Sequence, residues 1–190
     1  MKKAAFLDRD GVINRKAPEG RYVTRWEEME FLPGVFEAVR LLNTAGFMVL
    51  IVSNQRCVAK GLVTADELDS LHARMRREFE ASGATIDAIY YCPHDTQPPC
   101  LCRKPQPGML LQAARSHDVD LVASWMIGDS QHDVDAGKSA GCRTARLIRD
   151  EPGTTGGADV FASSLLEATR RIIQHETVLP PQYSKNIPEL

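Results

Sequence analysis

Apolar positions along this chain follow two rhythms. Five short runs have strand length: Ala4 to Leu7, Phe47 to Val52, Ile86 to Tyr91, Val122 to Ile127, and a weaker one from Thr144 to Ile148. Between them the spacing turns helical. From Thr64 to Ser82 the residues Leu68, Leu71, Met75 and Phe79 share one face, and Thr64 with Glu67 forms a capping box at the start. The segment from Pro33 to Ala45 opens on a proline suited to the first helical turn, carries Val35, Phe36, Val39 and Leu42 on one side, and stops at Gly46. Shorter helices are expected from Gly108 to His117 and from Ser130 to Ala140. A last helix runs from Ser164, whose capping box closes at Glu167, to about His175. Strands alternating with helices predict βαβ units, hence a doubly wound, Rossmann-like α/β fold with a parallel sheet. Such sheets bind ligands at the carboxyl ends of their strands. The four strongest runs end in Asp8-Arg9-Asp10, Ser53-Asn54-Gln55, Cys92-Pro93-His94 and Gly128-Asp129, all of them chemically capable.

Length and charge narrow the picture. The 190 residues fit one domain over residues 1–176, within which Pro152, Gly153, Gly156 and Gly157 make the segment after Asp150 rich in turn formers, and a C-terminal tail over 177–190. Lys plus Arg number 23 against 25 Asp plus Glu, so neither nucleic acid nor an acidic membrane surface is an expected partner. The longest apolar run is far short of the roughly 20 residues that span a bilayer, so no membrane helix is expected. Met1-Lys2-Lys3 is followed by four apolar residues and then by charge, too few for the core of a signal peptide, and the expected location is the cytoplasm. Five cysteines in such a chain suggest metal or thiol chemistry before disulfides.

Asp8 and Asp10 lie two apart beyond a buried strand, so in extended chain they leave on one side. Each aspartate alone is equally well a turn or cap residue. Together with Asp129 and Asp133 at another strand end they compose a hard oxygen site of the kind Mg²⁺ prefers. A carboxylate there can attack phosphorus while a second one protonates the leaving oxygen and later activates water. Ser53 and Lys104 are the available groups for stabilising the transferring phosphoryl charge. Taken singly, each has an ordinary alternative as a strand-end hydroxyl or a surface lysine.

Asp8-Arg9-Asp10-Gly11-Val12, Ser53-Asn54-Gln55, Lys104, and Gly128-Asp129 with Asp133 resemble, in order and separation, the four motifs of the haloacid-dehalogenase-like phosphohydrolases. Within that superfamily, Ile89-Tyr90-Tyr91-Cys92-Pro93-His94 and Cys100-Leu101-Cys102-Arg103-Lys104-Pro105 are similar to the branch of heptose-bisphosphate and histidinol-phosphate phosphatases. The resemblance implies Asp8 as nucleophile and Asp10 as general acid and base. It implies Mg²⁺ held by the Asp8 carboxylate, the Asp10 carbonyl and Asp129, with Asp133 in support. Ser53 and Lys104 would grip the phosphoryl group, and Asn54 and Arg103 would position it or the sugar.

Cys92, His94, Cys100 and Cys102 fall within eleven residues, a set able to close around one Zn²⁺ unless the cysteines stay free or Cys100 and Cys102 oxidise. The same branch carries such a zinc loop, which strengthens the zinc reading. Four protein ligands leave no open position, so the ion would be structural, fixing the loop 92–102 and placing Arg103 and Lys104. No insertion is long enough for a cap domain. An open site is expected, covered by loops at 12–31, 55–63 and 92–104, and suited to a small sugar phosphate. The resemblance favours removal of the 7-phosphate of a heptose 1,7-bisphosphate, and because nothing in the sequence demands an oligomer a monomer is expected. Histidinol phosphate or another small phosphomonoester is the alternative substrate, and a zinc-stabilised binding module without turnover is the alternative class. Arg56-Cys57-Val58-Ala59-Lys60-Gly61 and the lengthened loop after Asn14 depart from the branch pattern where the distal part of a substrate would rest.

Overall fold

The structure, a computed structural model, describes residues 1–148 and 156–178. A six-stranded, wholly parallel sheet forms the centre: β1 (Ala4–Leu7), β2 (Met48–Asn54), β3 (Ala88–Cys92), β4 (Trp125–Gly128), β5 (Arg143–Leu147) and β6 (Val160–Ala162). Their spatial order is β3-β2-β1-β4-β5-β6. The helices are α1 (Val35–Thr44), α2 (Ala65–Ala81), α3 (Gly108–His117), α4 (Gln131–Ala140) and α5 (Leu165–Val178).

Side-chain alternation along the strands divides the core in two. Ala5, Leu7, Val49, Ile51, Trp125 and Ile127 face a layer built by α1, α2 and α5. Ala4, Phe6, Leu50, Val52 and Met126 face a layer built by α3 and α4. Both faces of the central strands are therefore apolar, which is why those strands read as continuous runs rather than as alternating ones. The doubly wound expectation holds. Among the described residues the segments 8–34 and 55–64 contain no cap domain, only a single 3-10 turn at Trp26–Glu28.

Several boundaries move for physical reasons. α1 begins at Val35 because Gly34 takes a left-handed φ of 77°, so Pro33 precedes the helix instead of opening it. β4 begins at Trp125: the Asp120 carboxylate accepts from the N–H groups of Val122 and Ala123, holding them in a turn, and Val122 is exposed. The Thr64–Glu67 capping box forms. At α5 the Glu167 N–H donates to Ser164 Oγ, but the Glu167 carboxylate reaches back to Ser163 instead. β6 is a strand the hydrophobic pattern does not reveal. The domain boundary expected at 176 falls inside α5, while Pro152, Gly153 and the tail from Pro180 lie outside the described residues.

Candidate active site

The carboxyl ends of β1, β2 and β4 converge on one cleft of about 340 Å³. Asp8, Asp10, Ser53, Asn54, Arg103, Lys104, Asp129 and Asp133 all line it, so segments more than a hundred residues apart in sequence meet there. A larger groove of about 930 Å³ runs beside it between the 20–27 loop and α2, but it contains none of these groups.

Lys104 is the hub of the floor. Only 3% exposed, it sits 3.0 Å from Asp8 Oδ1 and 2.6 Å from Asp133 Oδ1, and donates to the Val52 carbonyl at 2.8 Å. All three ammonium protons thus have oxygen partners. Its backbone is fixed as firmly: the Lys104 N–H donates to Asn54 Oδ1 and Asn54 Nδ2 donates back to the Lys104 carbonyl, both at 3.0 Å. Asn54, read from the sequence as a substrate contact, spends its amide on that two-bond ring.

Asp10 is held from three directions. Arg9 donates to it through Nε and Nη2, Asn14 Nδ2 reaches it at 2.9 Å, and Gln55 Nε2 reaches it at 2.9 Å. Burial alone would raise its pKa, but Arg9, Asn14 and Gln55 outweigh burial and hold the carboxyl below its ordinary range. Gln55 Nε2 also reaches Ser53 Oγ at 2.8 Å, which ties the β2 hydroxyl to the β1 carboxylate.

Asp8 is in the opposite condition. Burial pushes its pKa up to about 7; Lys104 opposes the rise, and Asp133, Asp10 and Asp129 add to it. Asp129 is raised as well, by burial against the pull of Lys16. Carboxylate oxygens of Asp8, Asp129 and Asp133 lie within 4.8 Å of one another, and Asp129 Oδ1 is buried with no hydrogen-bond partner among the described residues. Crowded hard oxygens with an orphaned buried lone pair fit a small divalent cation. Two glycines make the crowding sterically possible. A Cβ on Gly128 would lie 2.2 Å from Asp133 Cβ, and one on Gly11, whose φ is +88°, would lie 2.1 Å from Asp129 Oδ2. Gly11→Ala is therefore expected to cost about 2 kcal/mol or more in chemical denaturation. An unchanged midpoint would mean that Asp129 gives way freely.

The sulfur cluster stands beside the cleft. Cys92 closes β3, and five of the distances among Cys92 Sγ, His94 Nδ1, Cys100 Sγ and Cys102 Sγ are 3.2–3.5 Å. Donors about 2.3 Å from a tetrahedral centre would stand about 3.8 Å apart, close to this spacing, whereas a disulfide needs about 2.05 Å. All described cysteines are free, so the oxidised alternative does not occur here. Burial raises Cys92 and takes Cys102 to about 12, while bonds from Cys102 and Cys92 draw Cys100 down to about 7 against burial. Such thiols compete for protons until a cation replaces them. The neighbouring loop 55–63 is fastened to this cluster by an Arg56–Asp95 ion pair at 2.6 Å and by the Ala59 N–H on the Pro93 carbonyl. Cys57 packs beneath it with Val63 and Leu68, a packing role rather than a chemical one.

The sequence reading missed Arg9, Asn14, Gln55, Lys16 and Arg21. The first three stand in or beside the quoted motifs but were given no task. Lys16 and Arg21 come from the lengthened loop; both are exposed at the rim of the cleft, with Lys16 Nζ 3.3 Å from Asp129 Oδ2.

Comparison with known proteins agrees with this geometry. The HAD-hydrolase-like family model matches residues 101–159. The D-glycero-beta-D-manno-heptose-1,7-bisphosphate 7-phosphatase of Rhodopseudomonas palustris is 39% identical over 175 residues, covering 88% of this chain and 92% of that protein. The chain belongs to this family of HAD-like phosphatases. The Vibrio cholerae phosphatase of the same name is 36% identical over 178 residues, covering 90% and 94% of the two chains. The D,D-heptose 1,7-bisphosphate phosphatase of B. bronchiseptica, crystallised with magnesium and phosphate, superposes with a TM-score of 0.81 at 32% identity, over 91% of this chain and 99% of that one. This phosphatase is thus a phosphoric monoester hydrolase on a parallel, doubly wound α/β fold. Among its described residues no helix is long and apolar enough to cross a membrane.

Proposed function

We propose that the chain removes the 7-phosphate of D-glycero-D-manno-heptose 1,7-bisphosphate through an aspartyl-phosphate. The observation that carries this reading is the distribution of cations in one cleft: buried Lys104 on the floor, and Lys16, Arg21 and Arg103 at the more exposed rim. A substrate with a phosphate at each end matches both. Histidinol phosphate would instead present an ammonium to that rim, a like-charge encounter that disfavours it.

An Asp8 oxygen attacks phosphorus and the bond from phosphorus to the C7 oxygen breaks. Asp10 gives its proton to that oxygen. The incoming phosphate charge raises the affinity of Asp10 for the proton it must carry. Water, losing a proton to Asp10, then attacks the aspartyl-phosphate and frees Asp8 and inorganic phosphate. Ser53 and Lys104 hold the phosphoryl oxygens, and Asn54 acts by placing Lys104. Mg²⁺ held by Asp8, Asp129 and the Asp10 carbonyl, with Asp133 in support, would neutralise charge on the phosphoryl group. Zn²⁺ on Cys92, His94, Cys100 and Cys102 would be structural.

The deciding experiment compares kcat/KM for the heptose bisphosphate, in both anomers, with that for histidinol phosphate. Preference for histidinol phosphate would overturn the substrate assignment. Lys16→Ala and Arg21→Ala are expected to raise KM for the bisphosphate about tenfold while changing it little for a monophosphate.

A pH dependence follows from Asp8. Its pKa in the fold, about 7, exceeds the ordinary 3.8, so the folded chain binds that proton more tightly than the unfolded chain. The stability Asp8 contributes is full below the ordinary value and is lost as pH rises through about 7. A divalent cation removes that loss. Mg²⁺ is therefore expected to raise Tm more at pH 8 than at pH 5, and equal shifts would contradict the assignment.

A further inference from the structure

Arg9 is 0% exposed, which is rare for a guanidinium. Its Nη2 donates to both Asp10 oxygens at 3.0 Å and to the Val23 carbonyl at 3.1 Å, and its Nε donates to Asp10 Oδ1 at 3.3 Å. The remaining arm, Nη1, lies 3.0 Å from Nε2 of His72, a residue of α2 only 4% exposed. A guanidinium has no lone pair to offer, so His72 Nε2 must be the acceptor. That fixes the imidazole as neutral, with its proton on Nδ1. Burial first and Arg9 second hold its pKa down at about 3, so it keeps that form across the working range.

The arrangement is costly elsewhere. His72 Nδ1 is buried without a hydrogen-bond partner among the described residues, and the ring packs against the Tyr91 ring, tilted by 60° with 5.5 Å between centroids. An unmet buried N–H destabilises the fold, because it gives up its bond to water and gains none in return. An apolar residue would fill this part of the core without that cost, but it would leave Arg9 Nη1 without its His72 acceptor and free the guanidinium to turn.

We infer that His72 is a positioning residue for Asp10, acting through Arg9: the buried imidazole locks the guanidinium plane, and the guanidinium aims the carboxylate. α2 is thereby tied to the proton-transfer step although none of its side chains lines the cleft. The inference rests on Asp10 being the general acid proposed above.

The test exploits leaving groups. A sugar alkoxide needs a proton as it departs and p-nitrophenolate does not, so loss of an aimed acid falls on the first ester alone in kcat/KM, which reports phosphoryl transfer to Asp8. His72→Leu is expected to lower kcat/KM for heptose 1,7-bisphosphate by about tenfold or more while leaving p-nitrophenyl phosphate within about twofold. His72→Gln, which retains an acceptor, restores most of the loss. Tm measured on both variants reports any general damage, which would depress the two esters together. A parallel fall on both esters, or no fall on either, overturns the inference. Asp10→Asn is the reference. If it shows the selective loss and His72→Leu does not, only the His72 link fails. If Asp10→Asn itself lowers both esters equally, the acid assignment fails and the inference with it.

Discussion

Asp8→Asn is expected to lower kcat/KM by about 10⁴-fold or more while leaving the metal-free fold at least as stable at pH 8. The loss follows from removing the attacking oxygen, together with the charge that Asp8 would lend to the Mg²⁺ site. Asn has the same shape, its side-chain carbonyl still accepts from Lys104, and Lys104 keeps Asp133 and the Val52 carbonyl. The stability follows from the raised pKa of Asp8: burial and the three neighbouring carboxylates make its charge unfavourable, and an amide carries no such charge. Catalytic need and folding preference oppose one another at this position. Parallel measurements of kcat/KM and of Tm in EDTA test both halves. Turnover that survives the substitution would mean that water attacks the substrate directly and Asp8 is no nucleophile. A large fall in Tm would mean that the Lys104–Asp8 pair stabilises the floor more than crowding destabilises it.

The second large effect belongs to the sulfur cluster. Cys102→Ser is expected to abolish stoichiometric zinc and to reduce kcat/KM about 10- to 100-fold. Cys102 precedes Lys104 by two residues, with Arg103 between them donating to the His94 carbonyl. A loosened loop therefore displaces a rim cation and the floor lysine together. Complete loss is not expected, because the Asn54 ring on the Lys104 backbone and the Arg56–Asp95 pair remain as separate tethers. Metal analysis of wild type and variant, with kinetics on the same preparations, checks the prediction. Full zinc occupancy in the variant would show that other groups hold the ion, and zinc loss with unchanged kinetics would show that the loop does not place Lys104.

How much of this was legible beforehand depended on how each residue announces itself. β1, β2 and β4 are buried on both faces, so they stand out as apolar runs, and their polar endings point to the cleft without any knowledge of topology. Val160–Ala162 is three residues long, too short to show a period. Arg9 and His72 were passed over because charged and titratable residues are ordinarily solvated. Their task is visible only where the segment after β1 meets α2, a relation between residues 63 apart. Asn54 illustrates the converse. Its place in a motif at a strand end suggested contact with substrate, and only the fold shows that Lys104 returns to meet it. Lys16 and Arg21 sit in a loop whose extra length was apparent while its direction was not.

The strand order has a consequence for how the chain acquires its activity. β1 lies between β2 and β4, so one of its edges is covered by a strand that ends only at Gly128. During synthesis the first half can pair β1, β2 and β3, yet the other edge of β1 stays open until the later segment arrives. An uncovered, apolar central strand invites pairing with a second chain. The same late segment supplies Asp129 and Asp133. The strand that protects the open edge of β1 and the residues that complete the cleft therefore belong to one stretch of chain, so a chain that lacks it is both incomplete as a sheet and incomplete as a site.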